Sequence, residues 1–271
     1  MQLIKRAGWN GWLWVGILLI LLIRLSGCSA PTASSVYVEE PVVECLLVAG
    51  HGIDQFKFTR TLPVEAPYDS TKAGIQGARI VIRSSRGDSV LLRAVPGSPG
   101  VYAAPHYIIR PKLTYWLRTE FKNKPITAVT TVPDTFTLFP LSKNIITYLK
   151  DRVTVRWTES EGSVGYFISV INLEDSLVAI NRPYASQDPY AKRRARFYWT
   201  LGTQTELYPF LHNYYGLHEL RVYAVDRNFF NYLQTSFQNP RELTEPESSV
   251  KNALGYFGSA VMHRVNYVLL E

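Results

Sequence analysis

Hydrophobic and polar residues alternate in short runs along most of the chain beyond residue 40. The clearest run is 113–121, in which Leu113, Tyr115, Leu117 and Phe121 share one face and polar residues occupy the other. Alternation with a period of two is typical of a half-buried β-strand, because successive side chains point to opposite faces. Further runs, some alternating and some continuously apolar, predict strands at 42–48, 56–62, 79–83, 89–93 and 126–132.

Turn signals separate these runs at short intervals. A glycine-containing loop at 84–88 has the length of a hairpin connection, and Pro and Gly are concentrated at 96–100. Residues 122–125 form another expected turn. Many short strands with frequent turns and no helical period indicate a β-sandwich of the immunoglobulin-like kind. We therefore predict a first sandwich domain over residues 41–135.

A second set of strands follows the connection at 136–150. Its early Trp157 and its late Leu-x-Val-x-Ala run at 220–224 resemble the core pattern of fibronectin type III sandwiches. This likeness favours Trp157 as a core residue over a ligand platform. We predict a second β-sandwich domain over residues 136–271, with strands at 153–157, 166–171, 176–180, 196–199 and 219–225 and a closing strand to Leu270.

One stretch near the C-terminus breaks the β pattern. Phe229, Phe230 and Leu233 recur at helical spacing, and Asp226 is a suitable N-cap. We predict one short helix near 226–236 that packs its aromatic residues on the second sheet. The expected fold class is therefore all-β, with two immunoglobulin- or fibronectin-III-like sandwiches and one short helix.

A basic and then apolar segment opens the chain. Lys5 and Arg6 precede the apolar run 12–23, and small residues follow it. This layout is typical of a secretory signal peptide, and the run is shorter than the roughly 20 apolar residues that a transmembrane helix usually needs. We predict a signal peptide over residues 1–27. An uncleaved N-terminal anchor is the alternative.

The segment ends in Leu25-Ser26-Gly27-Cys28, which resembles a bacterial lipobox. In a lipobox, cleavage precedes the cysteine and its sulfur carries diacylglycerol. The resemblance implies that Cys28 is acylated, with chains such as palmitate, and anchors the mature protein in a membrane. Each methylene of an acyl chain that is buried in the bilayer contributes about 0.8 kcal/mol to membrane binding. Residues 28–40 are small and polar and would act as a flexible tether.

Cleavage also changes the charge. The whole chain has 29 Lys and Arg against 22 Asp and Glu, a net charge of +7, and loss of residues 1–27 removes three basic residues and no acidic one. The small remaining positive charge and the predicted export argue against nucleic acid as a partner. Cys45 then has no second thiol to pair with. We expect it to be a buried small hydrophobe, with a reactive thiol as the alternative.

No catalytic motif emerges from the sequence. The five histidines lack the spacing of a zinc site, and neither a G-x-S-x-G elbow nor a phosphate-binding glycine loop occurs. His51, flanked by two glycines, is interpreted as a turn residue. The two carboxylates of a glycoside hydrolase need only lie close together in space, so sequence spacing does not identify such a pair. We therefore expect no catalytic residue, no metal and no cofactor, and a protein that is not an enzyme.

A basic run follows an aromatic loop in the second half of the chain. A solvated basic loop is one interpretation, and a docking surface for an acidic partner or an anionic glycan is the other. In the second interpretation the tyrosines would stack on the ligand. The candidate contact residues are Tyr184, Tyr190, Lys192, Arg193, Arg194 and Arg196.

The C-terminal third resembles a known family. The run 224–233 is similar to its strand, acidic cap and aromatic helix, and 245–258 is similar to its closing signature with a Gly-aromatic-Phe-Gly end. The family comprises uncharacterised domain-of-unknown-function lipoproteins of Bacteroidota, often encoded beside TonB-dependent outer-membrane receptors. The resemblance implies an outer-membrane lipoprotein of two β-rich domains and an accessory role in nutrient import. It supplies no catalytic residue.

Three functions agree with these observations. The leading hypothesis is a lipid-anchored binding or scaffold protein, with an outer-membrane receptor or a glycan as partner. The alternatives are an envelope enzyme acting on glycans or peptides, and a structural adhesin. The sequence is compatible with both a periplasmic and a surface-facing orientation.

Overall fold

The computed structural model describes residues 37–63, 65–175, 178–180, 196–236 and 246–271. The predicted signal peptide, Cys28 and most of the basic loop lie outside these residues. The chain from Glu39 to Glu271 forms one compact unit, and the description below concerns that unit.

The described residues are mostly β-structure, as the alternating pattern predicted. A one-turn helix α1 (Ser70–Ala73), a 3₁₀ turn at Pro209–Leu211 and helix α2 (Arg227–Ser236) complete the elements. The strands are β1 (Pro41–Val48), β2 (Ile53–Arg60), β3 (Val81–Ser84), β4 (Ser89–Leu91), β5 (Arg93–Ala94), β6 (Val101–Ala104), β7 (Thr114–Phe121), β8 (Lys124–Thr131), β9 (Ile145–Thr147), β10 (Thr154–Arg156), β11 (Gly165–Asn172), β12 (Arg196–Thr200), β13 (Gln204–Glu206), β14 (Gly216–Val225), β15 (Val250–Lys251) and β16 (Leu254–Leu270).

The strands form one large and two smaller sheets. The large sheet has the order β12-β11-β14-β16-β1-β2-β6-β5, and β9 also pairs with β16. A five-stranded sheet has the order β15-β8-β7-β3-β4, and β10 pairs with β13. The large sheet thus takes strands from both the range 41–135 and the range 136–271. The all-β class and the short helix near the C-terminus are confirmed for the residues that the structure describes.

Strand β16 joins the parts of the large sheet. It pairs antiparallel with β14 along one side, and parallel with β1 and then β9 along the other. Gly255 allows the start of the β1 pairing, because it has a φ of +95° and an added Cβ would lie 2.1 Å from the carbonyl oxygen of Val43. Only glycine fits such an approach.

The core lies on one face of the large sheet. Alternate residues of β1 (Val43, Cys45 and Leu47) are almost completely buried, as are Phe56 and Phe58 on β2. One continuous hydrophobic cluster joins these residues to Tyr115 and Leu117 of the five-stranded sheet, and it also contains Trp157. The predictions that Cys45 and Trp157 are core residues are therefore confirmed. We call the opposite face of the large sheet its outer face.

Helix α2 packs on the outer face. The backbone N–H of Phe229 donates to Asp226 Oδ1 at 3.0 Å, so Asp226 caps the helix as predicted. Phe229 packs with Val225 and Ala260, and Phe230, Leu233 and Tyr256 surround this small cluster. A Cβ on Gly258 would lie 2.7 Å from Phe229 Cβ, so the glycine lets the helix sit close to the sheet. Among the described residues, no helix has the length and apolar character needed to cross a membrane.

Candidate functional site

A groove of about 500 Å³ lies on the outer face, formed by β14, β16, β1 and β2. We call it the outer-face groove. Its lining combines a few apolar residues with many polar and charged ones, namely Glu44, Leu46, Val48, His51, Gly52, Asp54, Gln55, Lys57, Arg221, Tyr223, Tyr256, Met262 and Arg264.

The alternation of the strands places these side chains together. On β16, Tyr256, Met262 and Arg264 have the same parity and project opposite to the buried Phe257 and Val261. The register of β14 with β16 brings the outward-facing side chains of the two strands side by side. Tyr223 lies opposite Met262, and Arg221 lies opposite Arg264. The groove is therefore a direct product of the β14–β16 register.

The two arginines share one carboxylate. Arg221 Nε donates to Glu219 Oε1 at 2.5 Å, and Arg264 Nη1 donates to Glu219 Oε2 at 3.3 Å. The Glu219 side chain is 7% exposed, whereas those of Arg221 and Arg264 are 30% and 65% exposed. Burial lowers the pKa of Arg221, but hydrogen bonds to Glu219 and Tyr223 outweigh burial and the net shift is upward. One half-buried and one exposed positive charge thus lie against one buried negative charge.

An ion pair and two tyrosine rings in tilted contact lie at the other end of the groove. Lys57 Nζ lies 3.5 Å from Glu44 Oε2. The Tyr232 hydroxyl donates to Glu44 Oε1 at 3.5 Å, and the rings of Tyr232 and Tyr256 lie 4.5 Å apart. Burial raises the pKa of Tyr256, and the charge of Glu44 adds to this shift. The tyrosines at this end are therefore neutral hydrogen-bonding groups at physiological pH.

The groove has the chemistry of recognition. Guanidinium, ammonium, phenol, amide and carboxylate groups surround the apolar side chains of Leu46, Val48 and Met262, which is the usual mixture of a binding site. His51 Nδ1 lies 3.1 Å from the carbonyl oxygen of Ala49, so part of its hydrogen-bonding capacity is used within its turn. In the part of the chain that the structure describes, no three His, Cys, Asp or Glu side chains are grouped to hold a metal ion.

A second polar cluster is buried within the core. Tyr267 donates to His212 Nε2 at 2.5 Å, and the rings of His218 and Tyr267 stack at 5.4 Å. His218 Nδ1 lies 2.8 Å from the Gly216 carbonyl oxygen, so it carries the proton, and Nε2 accepts from Asn172 Nδ2 at 3.3 Å. Burial lowers the pKa of His218. Since both histidines are at most 2% exposed, this cluster is a structural element of the core.

The site residues predicted from the sequence are not among the residues that line the outer-face groove. Cys28, the lipid-attachment candidate, lies outside the described residues, as do Tyr184, Tyr190 and Lys192–Arg194. Arg196 begins β12 and pairs in register with Val170. The roles proposed for these residues stay predictions.

The groove residues were missed in the sequence because they belong to strands far apart in the chain. His51 was interpreted as a turn residue, and it also lines the groove. One signal was present. The alternate positions 219, 221 and 223 carry Glu, Arg and Tyr, and the positions between and beside them, 218, 220, 222 and 224, are buried and mostly apolar. Such a polar face is available for contacts.

Fold and groove together define an all-β protein with a side-chain-lined site on the face of its large sheet. The chain belongs to a family described as Domain of unknown function (DUF4249), whose model matches residues 34–264. A comparison with curated proteins found no match. The expected membership in a domain-of-unknown-function family is confirmed.

Proposed function

We propose that this protein is a lipid-anchored, non-enzymatic binding protein of the outer membrane that presents the outer-face groove to a ligand or partner. The groove carries the proposal. It joins an arginine pair, two tyrosines and a few apolar side chains on one sheet face, and preformed sites with a few placed polar groups are the usual ligand sites of proteins.

The sequence at the N-terminus supports the anchor. The basic and apolar segment ends in Leu25-Ser26-Gly27-Cys28, and a small, polar stretch to residue 40 follows. In this proposal Cys28 carries acyl chains and the tether gives the folded unit reach from the membrane. Surface-exposed and periplasmic orientations both fit this arrangement.

The family resemblance supports the biological setting. Lipoproteins of this kind in Bacteroidota are often encoded beside TonB-dependent receptors, so we propose an accessory role in nutrient uptake. In that role, the groove would hold either the nutrient or a segment of the receptor. The basic residues Lys192, Arg193, Arg194 and Arg196 would supply a second contact.

Two experiments test the proposal. Metabolic labelling with radioactive palmitate should label the wild-type protein in the outer-membrane fraction and leave the Cys28→Ser variant unlabelled. Affinity purification of the labelled protein should recover an outer-membrane receptor, and Met262→Trp, which fills the groove, should reduce the recovery.

Leu91→Trp is the matched control, because Leu91 is an exposed residue on β4 of the five-stranded sheet. It should leave the recovery unchanged. An unlabelled wild-type protein would refute the anchor, and equal recovery with Met262→Trp and the wild type would refute a receptor contact in the groove.

A further inference from the structure

The arginine pair is an unusual arrangement within a sheet. Arg221 and Arg264 lie directly opposite each other on β14 and β16. Like charges in opposite positions of an antiparallel pair destabilise it. Glu219, on the same face and two residues from Arg221, compensates one of the two charges. The three side chains together carry a charge of +1 at the groove.

The geometry leaves donors for an anion. Each guanidinium has five N–H groups in a fixed planar fork, which matches a carboxylate with two parallel bonds. The contacts to Glu219 use Nε of Arg221 and one Nη of Arg264. Both side chains also line the groove. A ligand anion bound there would complete the neutralisation that Glu219 begins.

The groove lies on the face of the large sheet, and this position limits the chemical class of ligand that it can bind. Backbone N–H and C=O groups of β14 and β16 are engaged in their ladder, and β1 and β2 pair over residues 41–44 and 57–60. In these parts the groove recognises through side chains. An extended peptide gains most from backbone hydrogen bonds at a sheet edge, and the β14–β16 part of this face, where the arginines lie, is not an edge. Hydroxyl groups of a sugar, in contrast, are suited to the side chains of Glu44, Asp54 and Gln55.

The length of the groove indicates a chain rather than a single ring. Glu44 lies opposite Tyr256 in register, and Arg264 lies eight residues further along β16. At about 3.3 Å per residue the two ends are roughly 25 Å apart. Tyr223 and Tyr256 line the groove between or at these ends. Part of each ring packs within the protein, Tyr223 on Phe167 and Tyr256 on Phe229 and Tyr232, so a sugar would contact the ring surface that faces the groove.

We propose that the outer-face groove binds an acidic oligosaccharide, with the carboxylate of a uronic acid on Arg221 and Arg264 and further sugar rings on Tyr223 and Tyr256. This inference rests on the proposed function, in that the groove is the binding site, and it names the class of ligand. The Glu44–Lys57 pair would bind hydroxyl groups at the opposite end.

Calorimetric titration of the full-length protein in detergent tests the inference. The probes are a galacturonate tetrasaccharide, a neutral glucose tetrasaccharide, a tetraglutamate peptide and inorganic phosphate. We expect the galacturonate to bind at least tenfold more tightly than each of the others. Arg264→Gln should weaken that binding at least tenfold, and Arg264→Lys should restore only part of it, because lysine lacks the planar fork.

Arg118→Gln is the control, because Arg118 is an exposed arginine on β7 of the five-stranded sheet, and it should bind like the wild type. The inference is overturned if the neutral sugar, the peptide or phosphate binds as tightly as the galacturonate, if Arg264→Gln binds normally, or if no probe binds. Palmitate labelling and receptor recovery do not depend on these titrations. A protein that is labelled and recovers the receptor but does not prefer galacturonate would therefore overturn this inference and leave the proposed anchor and receptor contact standing.

Discussion

The carboxylate of Asp226 accepts a hydrogen bond from the Thr130 hydroxyl at 2.5 Å, although 96 residues separate them in the chain. Thr130 belongs to β8 of the five-stranded sheet, and Asp226 caps helix α2 on the large sheet. Ser259 Oγ of β16 lies 2.7 Å from the same hydroxyl. All three side chains are buried, so this small network ties the two sheets and the helix together.

Removal of the Asp226 side chain should destabilise the protein. Asp226→Ala takes away the helix cap and leaves the buried Thr130 hydroxyl without this acceptor, so we expect the free energy of unfolding to fall by about 1–3 kcal/mol. Urea denaturation followed by circular dichroism measures the change. Glu159→Ala, at an exposed position, should leave the midpoint unchanged. Equal midpoints for the two variants would contradict the assigned role.

Local patterns were sufficient to predict this cap but not its partner. Asp226 and the aromatic residues at helical spacing lie within ten residues, and both the helix and its start were predicted from them. The bond to Thr130 depends on which sheets pack together, and no pattern within either segment contains that information. The same reason explains the groove, since Arg221 and Arg264 meet only through the register of β14 and β16.

Most strand positions were predictable, and strand partners were not. The strand expected at 176–180 is an exception, since the described residues 178–180 contain only an isolated bridge at Ala179. The expected hairpin around 84–88 formed because its strands are neighbours in the chain, and β3 pairs with β4 as its alternation suggested. The parallel pairing of β1 with β16 joins residues about 210 positions apart. Period-two alternation fixes the face on which a residue lies, whereas the choice of partner depends on tertiary packing.

The pairing of β1 with β16 gives a prediction at Gly255. A Cβ there would meet the Val43 carbonyl oxygen at 2.1 Å, and the φ of +95° is unfavourable for other residues. We expect Gly255→Ala to lower the free energy of unfolding by about 3 kcal/mol or more. Thermal unfolding provides the measurement. Gly202→Ala, whose nearest neighbour atom would be 3.8 Å away, should have little effect, and similar losses in both variants would refute the steric account.

Burial of Cys45 predicts an unreactive thiol. The side chain is 1% exposed, and burial raises the pKa of the thiol, so little of the reactive thiolate is present. In a Cys28→Ser background, Ellman's reagent should react slowly with the native protein and stoichiometrically after denaturation. An added Thr127→Cys substitution, on the exposed face of β8, should react at once in the native protein. Rapid labelling of native Cys45 would show that the strand opens readily.

The buried His218 predicts a dependence of stability on pH. Burial lowers its pKa from the ordinary 6.5, against the opposing effects of the Gly216 carbonyl and the Glu174 charge. The unfolded chain therefore binds a proton at a higher pH than the native protein does. As the pH falls below about 6.5, the free energy of unfolding should fall by up to about 1.4 kcal/mol per pH unit for this group, until the native His218 also protonates.

The variant His218→Gln isolates this contribution. Its free energy of unfolding, measured by urea denaturation at pH 7.5, 6.5 and 5.5, should fall less between the upper and lower pH than that of the wild type. His263, whose pKa is also lowered by burial, keeps part of the dependence in both proteins, so the difference between them is the relevant quantity. His106→Gln, at an exposed turn position, should retain the full wild-type dependence. We expect a difference between the wild type and His218→Gln because the imidazole accepts from Asn172 Nδ2 and cannot gain a proton at that nitrogen without losing the bond. Parallel curves for the two proteins would show that the proton on His218 does not couple to folding.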